Sequence, residues 1–223
     1  MTRVEVGPVT IRQPPAEILL GWGFILAIQA ALLGAYLVAR DVSPTFFHLA
    51  PFVWINVGLW AFLRTRPPSV VGRRRLIAAS IAIGYFLLVS YVGGLYGIHP
   101  SGHGRPVTGW EIRSTLPPGY GPAIFYVGDG LRLAIVPYLV VGYAAIAYLV
   151  YVTVLDASRS VAGGVFGLIA CVGCAWPIIA PIVAAVIGGG AVLTTATYEF
   201  RYEVSTIAFL AAIAFLVWRP MDR

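Results

Sequence analysis

Two cysteines, Cys171 and Cys174, are the only thiols in the chain, and they sit three residues apart in Cys171-Val172-Gly173-Cys174-Ala175-Trp176-Pro177. On a helix this spacing puts both on one face, with Cβ atoms about 5–6 Å apart. A disulfide needs about 3.5–4.5 Å, so closing one requires local distortion. The sequence offers the means: Gly173 lies between the thiols, and Pro177 removes a backbone bond while crowding the carbonyl of Gly173. Pro181 repeats the interruption one turn later. Two chemistries suit the pair. One is reversible thiol–disulfide exchange that passes electrons across a membrane. The other is capture of a soft ion by thiolates, with copper(I) the natural candidate. A third reading needs no chemistry: both cysteines are small packing residues in a Gly/Ala-rich helix.

Three histidines widen the set. His99 and His103 lie in Gly97-Ile98-His99-Pro100-Ser101-Gly102-His103-Gly104, and His48 lies near the start of an earlier apolar run. Pro100 and the glycines oppose a helical turn joining His99 to His103, but a loop could bring both imidazoles to one ion. The three histidines are therefore secondary ligand candidates beside Cys171 and Cys174; solvated loop histidines are the plain alternative. No phosphate-binding loop, nucleophile elbow, His-Glu-x-x-His or dinucleotide fingerprint is present. The apolar runs hold no Asp, Glu, Arg or Lys near their middles; His48 and Asn56 are the polar exceptions. Ion-coupled transporters and pumps place an ionisable group at depth, so that class is disfavoured, and a voltage sensor is excluded.

These residues sit in a chain built for lipid. Of 223 residues, 59% are hydrophobic and 11% charged, against about 25% charged in an ordinary soluble domain. Six runs approach the length of about 20 apolar residues that a span requires: Ile18–Ala39, Phe46–Leu63, Leu76–Gly97, Leu131–Leu155, Val161–Ile187 and the shorter Glu203–Trp218. The first exceeds the core of a cleaved signal peptide, which is about 7–15 residues, and is expected to be retained. The expected fold is thus all-α, a single polytopic membrane helix bundle of about six transmembrane helices occupying 1–223. Cys171 then lies about ten residues into the fifth span, about 15 Å deep, near the bilayer midplane.

All fifteen basic residues are arginine. Arg64, Arg66, Arg73, Arg74 and Arg75 crowd the link between spans two and three and mark it as cytoplasmic. Both termini then fall inside, and Arg40, Arg105, Arg113, Arg132 and Arg201 fall outside. The net charge of +6 is read as topology control, with no nucleic-acid partner expected. Residues 98–130 form an outward loop, expected to be largely irregular because of Pro117-Pro118-Gly119-Tyr120-Gly121-Pro122. Its Trp110, Tyr120, Phe125 and Tyr126 suit the membrane–water boundary, either as a connector on the headgroups or as a lid over the bundle. Gly163-Gly164-x-x-Gly167 suits close helix packing. Tyr138, Tyr143, Tyr148 and Tyr151 read as a packed or interfacial set; five-residue steps keep no common helical face, so they are not assigned to one aromatic site.

The stretch Cys171–Pro181, reading Cys-x-x-Cys-x-x-Pro-x-x-x-Pro, resembles the cysteine-and-proline spans of cytochrome c biogenesis-type thiol transporters and of small soft-metal membrane proteins. Those transporters carry their paired cysteines on two helices, whereas this chain has one pair. The lysine-free chain as a whole resembles small polytopic proteins of haloarchaea, some of which accompany respiratory oxidases. The resemblance implies a multi-pass, non-enzymatic protein of the cell membrane that handles a soft metal or thiol electrons and supports assembly of a respiratory metalloprotein. The alternatives are an accessory or scaffold subunit of a membrane complex, or a permease subunit powered by a partner.

Overall fold

Backbone groups in hydrocarbon have no solvent to bond, so an apolar run of span length satisfies them internally by coiling into a helix. The computed structural model describes residues 3–6, 9–12, 16–69, 71–98, 109–128, 130–157 and 201–217. Four of its helices are long and apolar enough to cross a membrane: α1 (Ala16–Arg40), α2 (Phe46–Arg64), α3 (Arg73–Val92) and α4 (Pro137–Ala157). A fifth, α5 (Arg201–Val217), is shorter, with an apolar stretch over Ser205–Val217. The span expected at Val161–Ile187 lies outside the described residues.

The chain divides into two units after Pro44. In the first, strands β1 (Arg3–Val6) and β2 (Val9–Arg12) pair antiparallel, from Arg3 opposite Arg12 to Val6 opposite Val9, and are followed by α1.

In the second unit α4 packs against α2, α3 and α5, and α2 also packs against α5. Contacts fix the directions. Phe47 meets Tyr202, and Trp54 meets Phe209 on α5; Trp54 also meets Tyr138, while Tyr148 bonds to Thr65. Helices α2, α4 and α5 therefore run parallel, and α3 packs against α4 in the opposite sense. Leu149, Val152, Leu155, Ala61 and Ile213 are nearly or fully buried between them.

The residues between α3 and α4 depart from expectation. Instead of an irregular loop they form a four-stranded antiparallel sheet, in the order β3 (Tyr96–Ile98), β6 (Leu131–Ile135), β5 (Ala123–Val127), β4 (Gly109–Arg113). The all-α expectation and the outer limits of spans three and four are corrected with it. Gly93 and Gly94 stop α3 at Val92, Gly94 with φ of +79°. Pro137 presets the first turn of α4. Residues beyond those limits that hydropathy read as helix include Tyr96, Gly97 and Leu131–Ile135. The alternation in Leu-Arg-Leu-Ala-Ile, shared by Gly-Trp-Glu-Ile-Arg of β4, is a strand signal that hydropathy averaging hides.

Candidate functional site: a proline break closed by Tyr120

Proline inside a helix leaves the carbonyl four residues earlier without its donor. Pro51 lies inside α2 and so releases the carbonyl of Phe47. The Tyr120 hydroxyl donates to that oxygen at 3.1 Å. Tyr120 arrives on the turn Pro117-Pro118-Gly119-Tyr120, in which the Tyr120 and Gly121 N–H groups both donate to the carbonyl of Pro117 at 3.0 and 3.1 Å. Gly119 has φ of +91°, and a Cβ there would meet the Pro51 ring at 2.5 Å. Only glycine fits both the backbone and the space, so the turn docks directly on the proline break.

Aromatic rings close around the bond. Tyr120 stacks on Phe47 with centroids 4.5 Å apart, and meets Tyr138 edge-on at 4.8 Å and Tyr202 at 6.4 Å. Phe47 also meets Tyr202 at 5.0 Å. The site thus joins the sheet-bearing segment to α2, α4 and α5. Burial pushes the Tyr120 phenol well above its ordinary pKa, with the neighbouring Tyr138 and Tyr202 adding to the effect. Desolvation disfavours the phenolate, which keeps the hydroxyl a donor. Glu203, beside this cluster, buries Oε2 without a hydrogen-bond partner. It lies in the first turn of α5, where the helix dipole favours an acidic side chain.

One level deeper, Trp54 lies flat against α4 at Gly142, whose missing side chain leaves the room its ring occupies. It stacks on Phe209 at 4.2 Å, and Tyr138 and Tyr143 flank it edge-on at 5.7 and 5.8 Å. Its Nε1 donates to Thr206 Oγ1 at 3.1 Å in a buried setting. Tyr138 and Tyr143, not assigned to one site by their spacing, therefore meet on one tryptophan. At the far end Tyr148 donates to the carbonyl of Thr65 at 2.8 Å, satisfying a carbonyl at the C-cap of α2.

The expected site residues fare differently. Cys171, Cys174, Pro177, Pro181, His99 and His103 lie outside the described residues, as do Gly163 and Gly167. His48 is buried in the first turn of α2. The Thr45 N–H donates to its Nδ1 at 3.2 Å, and Thr45 Oγ1 stands 2.8 Å from the same nitrogen. The imidazole here caps a helix. Among the described residues no group of three or more His, Cys, Asp or Glu side chains is placed to hold a metal ion.

Sequence reasoning read Tyr120 as a boundary or lid aromatic, without its bond to the Phe47 carbonyl, and missed Gly119, Gly142 and Trp54. The available signal was Pro51: an internal proline orphans a carbonyl, and the Pro-Pro-Gly-Tyr turn carries a hydroxyl able to reach one. Neither a curated protein nor a solved structure matches the chain. Residues 2–223 do match a family of unknown function (DUF7546), and the chain belongs to that family.

Proposed function

We propose that this is a multi-pass protein of the cell membrane, with cytoplasmic termini, that acts as a non-catalytic accessory or scaffold subunit. In this reading the helix bundle holds the sheet at its outward end. The observation that carries it is the Tyr120 hydroxyl on the carbonyl that Pro51 releases. Broken helices in transporters present such carbonyls to an ion or substrate. Here the chain's own tyrosine takes the oxygen, and rings from α2, α4 and α5 surround it, so the break serves to fasten the sheet. The six-span reading gains support from chain direction. Helix α4 ends at the bundle end opposite the sheet and α5 begins at the sheet end, an arrangement that one further crossing reconciles.

The spacing of Cys171, Cys174 and Pro177 favours a second reading, in which the thiols bind a soft metal such as copper or pass electrons during assembly of a respiratory metalloprotein. One experiment separates the two: elemental analysis with thiol titration on full-length protein purified anaerobically, compared with Cys171→Ser. Two free thiols, no bound metal and an unchanged native-gel complex in Cys171→Ser are expected for the scaffold. Near-stoichiometric copper that disappears in Cys171→Ser would replace it with the metal reading.

A further inference from the structure

The two faces of the four-stranded sheet differ sharply. Strand register places Tyr96 and Ile98 of β3, Leu131, Leu133 and Ile135 of β6, Ile124 and Tyr126 of β5, and Trp110 and Ile112 of β4 on one face. The polar groups on that face are the tyrosine hydroxyls and the Trp110 indole N–H. The opposite face carries Glu111, Arg113 and Arg132, together with Phe125, Val127 and the buried Ala123 and Ala134. Arg113 bridges Glu111 at 2.7 Å and covers the Phe125 ring at 5.2 Å. The apolar face lacks such cover: Ile98 is 74% exposed, Ile112 68% and Trp110 67%. A run of apolar side chains this broad marks a contact surface.

The geometry points to lipid as the occupant: we propose that this face seats in the membrane–water boundary, reaching the acyl chains of the outward leaflet. The inference rests on the membrane-spanning reading of α3 and α4. Three observations favour lipid over protein. The sheet is tied to helix ends: β3 begins four residues after α3, and β6 stops two residues before α4. Its height along the membrane normal is thereby set at the ends of two span-length helices. The apolar face also continues the exposed side of α3. Tyr96, on that face, donates to the carbonyl of Leu87 at 2.8 Å, and its ring lies 5.7 Å from Tyr91, while Leu87, Leu88, Tyr91 and Val92 are themselves exposed. Finally, Trp110 and Tyr126 pair at 4.8 Å, and with Tyr96 they supply rings that keep an apolar body in lipid and a polar tip in water. Glu111, Arg113 and Arg132 on the opposite face then meet solvent, while Ala123 and Ala134 stay buried. Of the four loop aromatics, Trp110 and Tyr126 meet lipid, Phe125 lies under Arg113, and Tyr120 locks the bundle.

The test is spin-label accessibility in the full chain, reconstituted into phosphatidylcholine–phosphatidylglycerol vesicles in a Cys171→Ala, Cys174→Ala background. Labels go on Trp110→Cys, Ile112→Cys and Glu111→Cys, with Ile83→Cys on the exposed side of α3 as the reference for a spanning helix. The expected result is an oxygen-to-nickel-chelate collision ratio several-fold higher at positions 110 and 112 than at 111, and high at 83. Equal ratios at 111 and 112 with a high ratio at 83 overturn the proposal while leaving the spanning reading intact. Protection of 112 from both reagents assigns the face to a protein partner or second copy and also overturns it. A low ratio at 83 removes the spanning reading itself. A check on the native side chain compares quenching by brominated phosphatidylcholine in wild type and Trp110→Phe: the lipid-seated face requires a brominated-lipid-sensitive component that the variant loses, and identical quenching overturns it.

Discussion

At the residue scale the attachment of the sheet turns on a carbonyl that proline sets free and a phenol that occupies it. Replacing Tyr120 by phenylalanine keeps the stack on Phe47 but removes the bond to its carbonyl, a loss of about 1 kcal/mol. Alanine removes the ring as well and should cost about 3–5 kcal/mol, the range for deleting a buried aromatic side chain. Thermal unfolding in detergent, followed by tyrosine circular dichroism, measures both; equal stability of wild type and Tyr120→Ala would mean that the turn does not hold the sheet. A pH dependence follows with a definite sign. Because burial raises the Tyr120 pKa above its ordinary 10.0, the folded chain holds the proton more tightly than the unfolded one. The stabilisation is complete below pH 10 and declines as pH rises further towards the folded value. Stability measured from pH 8 to 11 should fall above 10 in wild type, and fall less steeply in Tyr120→Phe. The Glu111–Arg113 pair is a contrast. The arginine lowers the carboxyl pKa by hydrogen bonding and charge, but both groups stand in water and solvent screens them.

At the element scale the helices hold together by close packing, since lipid supplies no hydrophobic force between them. Small residues at the crossing of α2 and α4 make this possible: Gly142 faces Trp54, and a Cβ on Gly58 would come 3.3 Å from Ala145. Gly142→Val must displace the Trp54 ring from Phe209, with an expected cost of about 1–3 kcal/mol from overpacking. The spectral signature is a changed near-ultraviolet tryptophan signal, and an unaltered spectrum with full stability would refute this placement of Trp54. Thr206→Val keeps the shape but leaves the indole N–H without its partner, so a loss of about 1 kcal/mol is expected in the same assay. The tyrosines of α4 show why helical spacing alone misled. Tyr138 and Tyr143 do not share a face, yet the bare backbone at Gly142 lets one wide ring lie between them and touch both.

At the scale of the whole molecule the question is which side each end of the bundle meets. The arginine-rich link between α2 and α3 and the sheet lie at opposite ends of the second unit, because α2 and α3 run in opposite directions between them. In a cysteine-free background, Ser114→Cys should react with a membrane-impermeant maleimide from outside intact cells. Ser69→Cys should react only after permeabilisation. Labelling of both from outside would end the spanning reading, and the reverse pattern would invert the topology while preserving it. The scaffold reading makes its own demand: Tyr120→Ala should loosen the sheet and shift a native complex to lower mass, while Cys171→Ser leaves it intact.

Hydropathy alone placed α1 and α2 within two residues of their observed limits, because a run of about twenty apolar residues has helix as its one inexpensive fold in lipid. What it could not resolve was where helix gives way to strand. Tyr96–Ile98 and Leu131–Ile135 are as apolar as the helices beside them, and the pairing that makes them strands joins residues more than thirty positions apart. The same limit applied to the site. The orphaned carbonyl is local to α2 and legible from Pro51, but its donor lies 73 residues away on a turn rich in proline and glycine. Local chemistry is written in neighbouring residues, and long-range closure depends on which distant groups the folded chain brings within bonding distance.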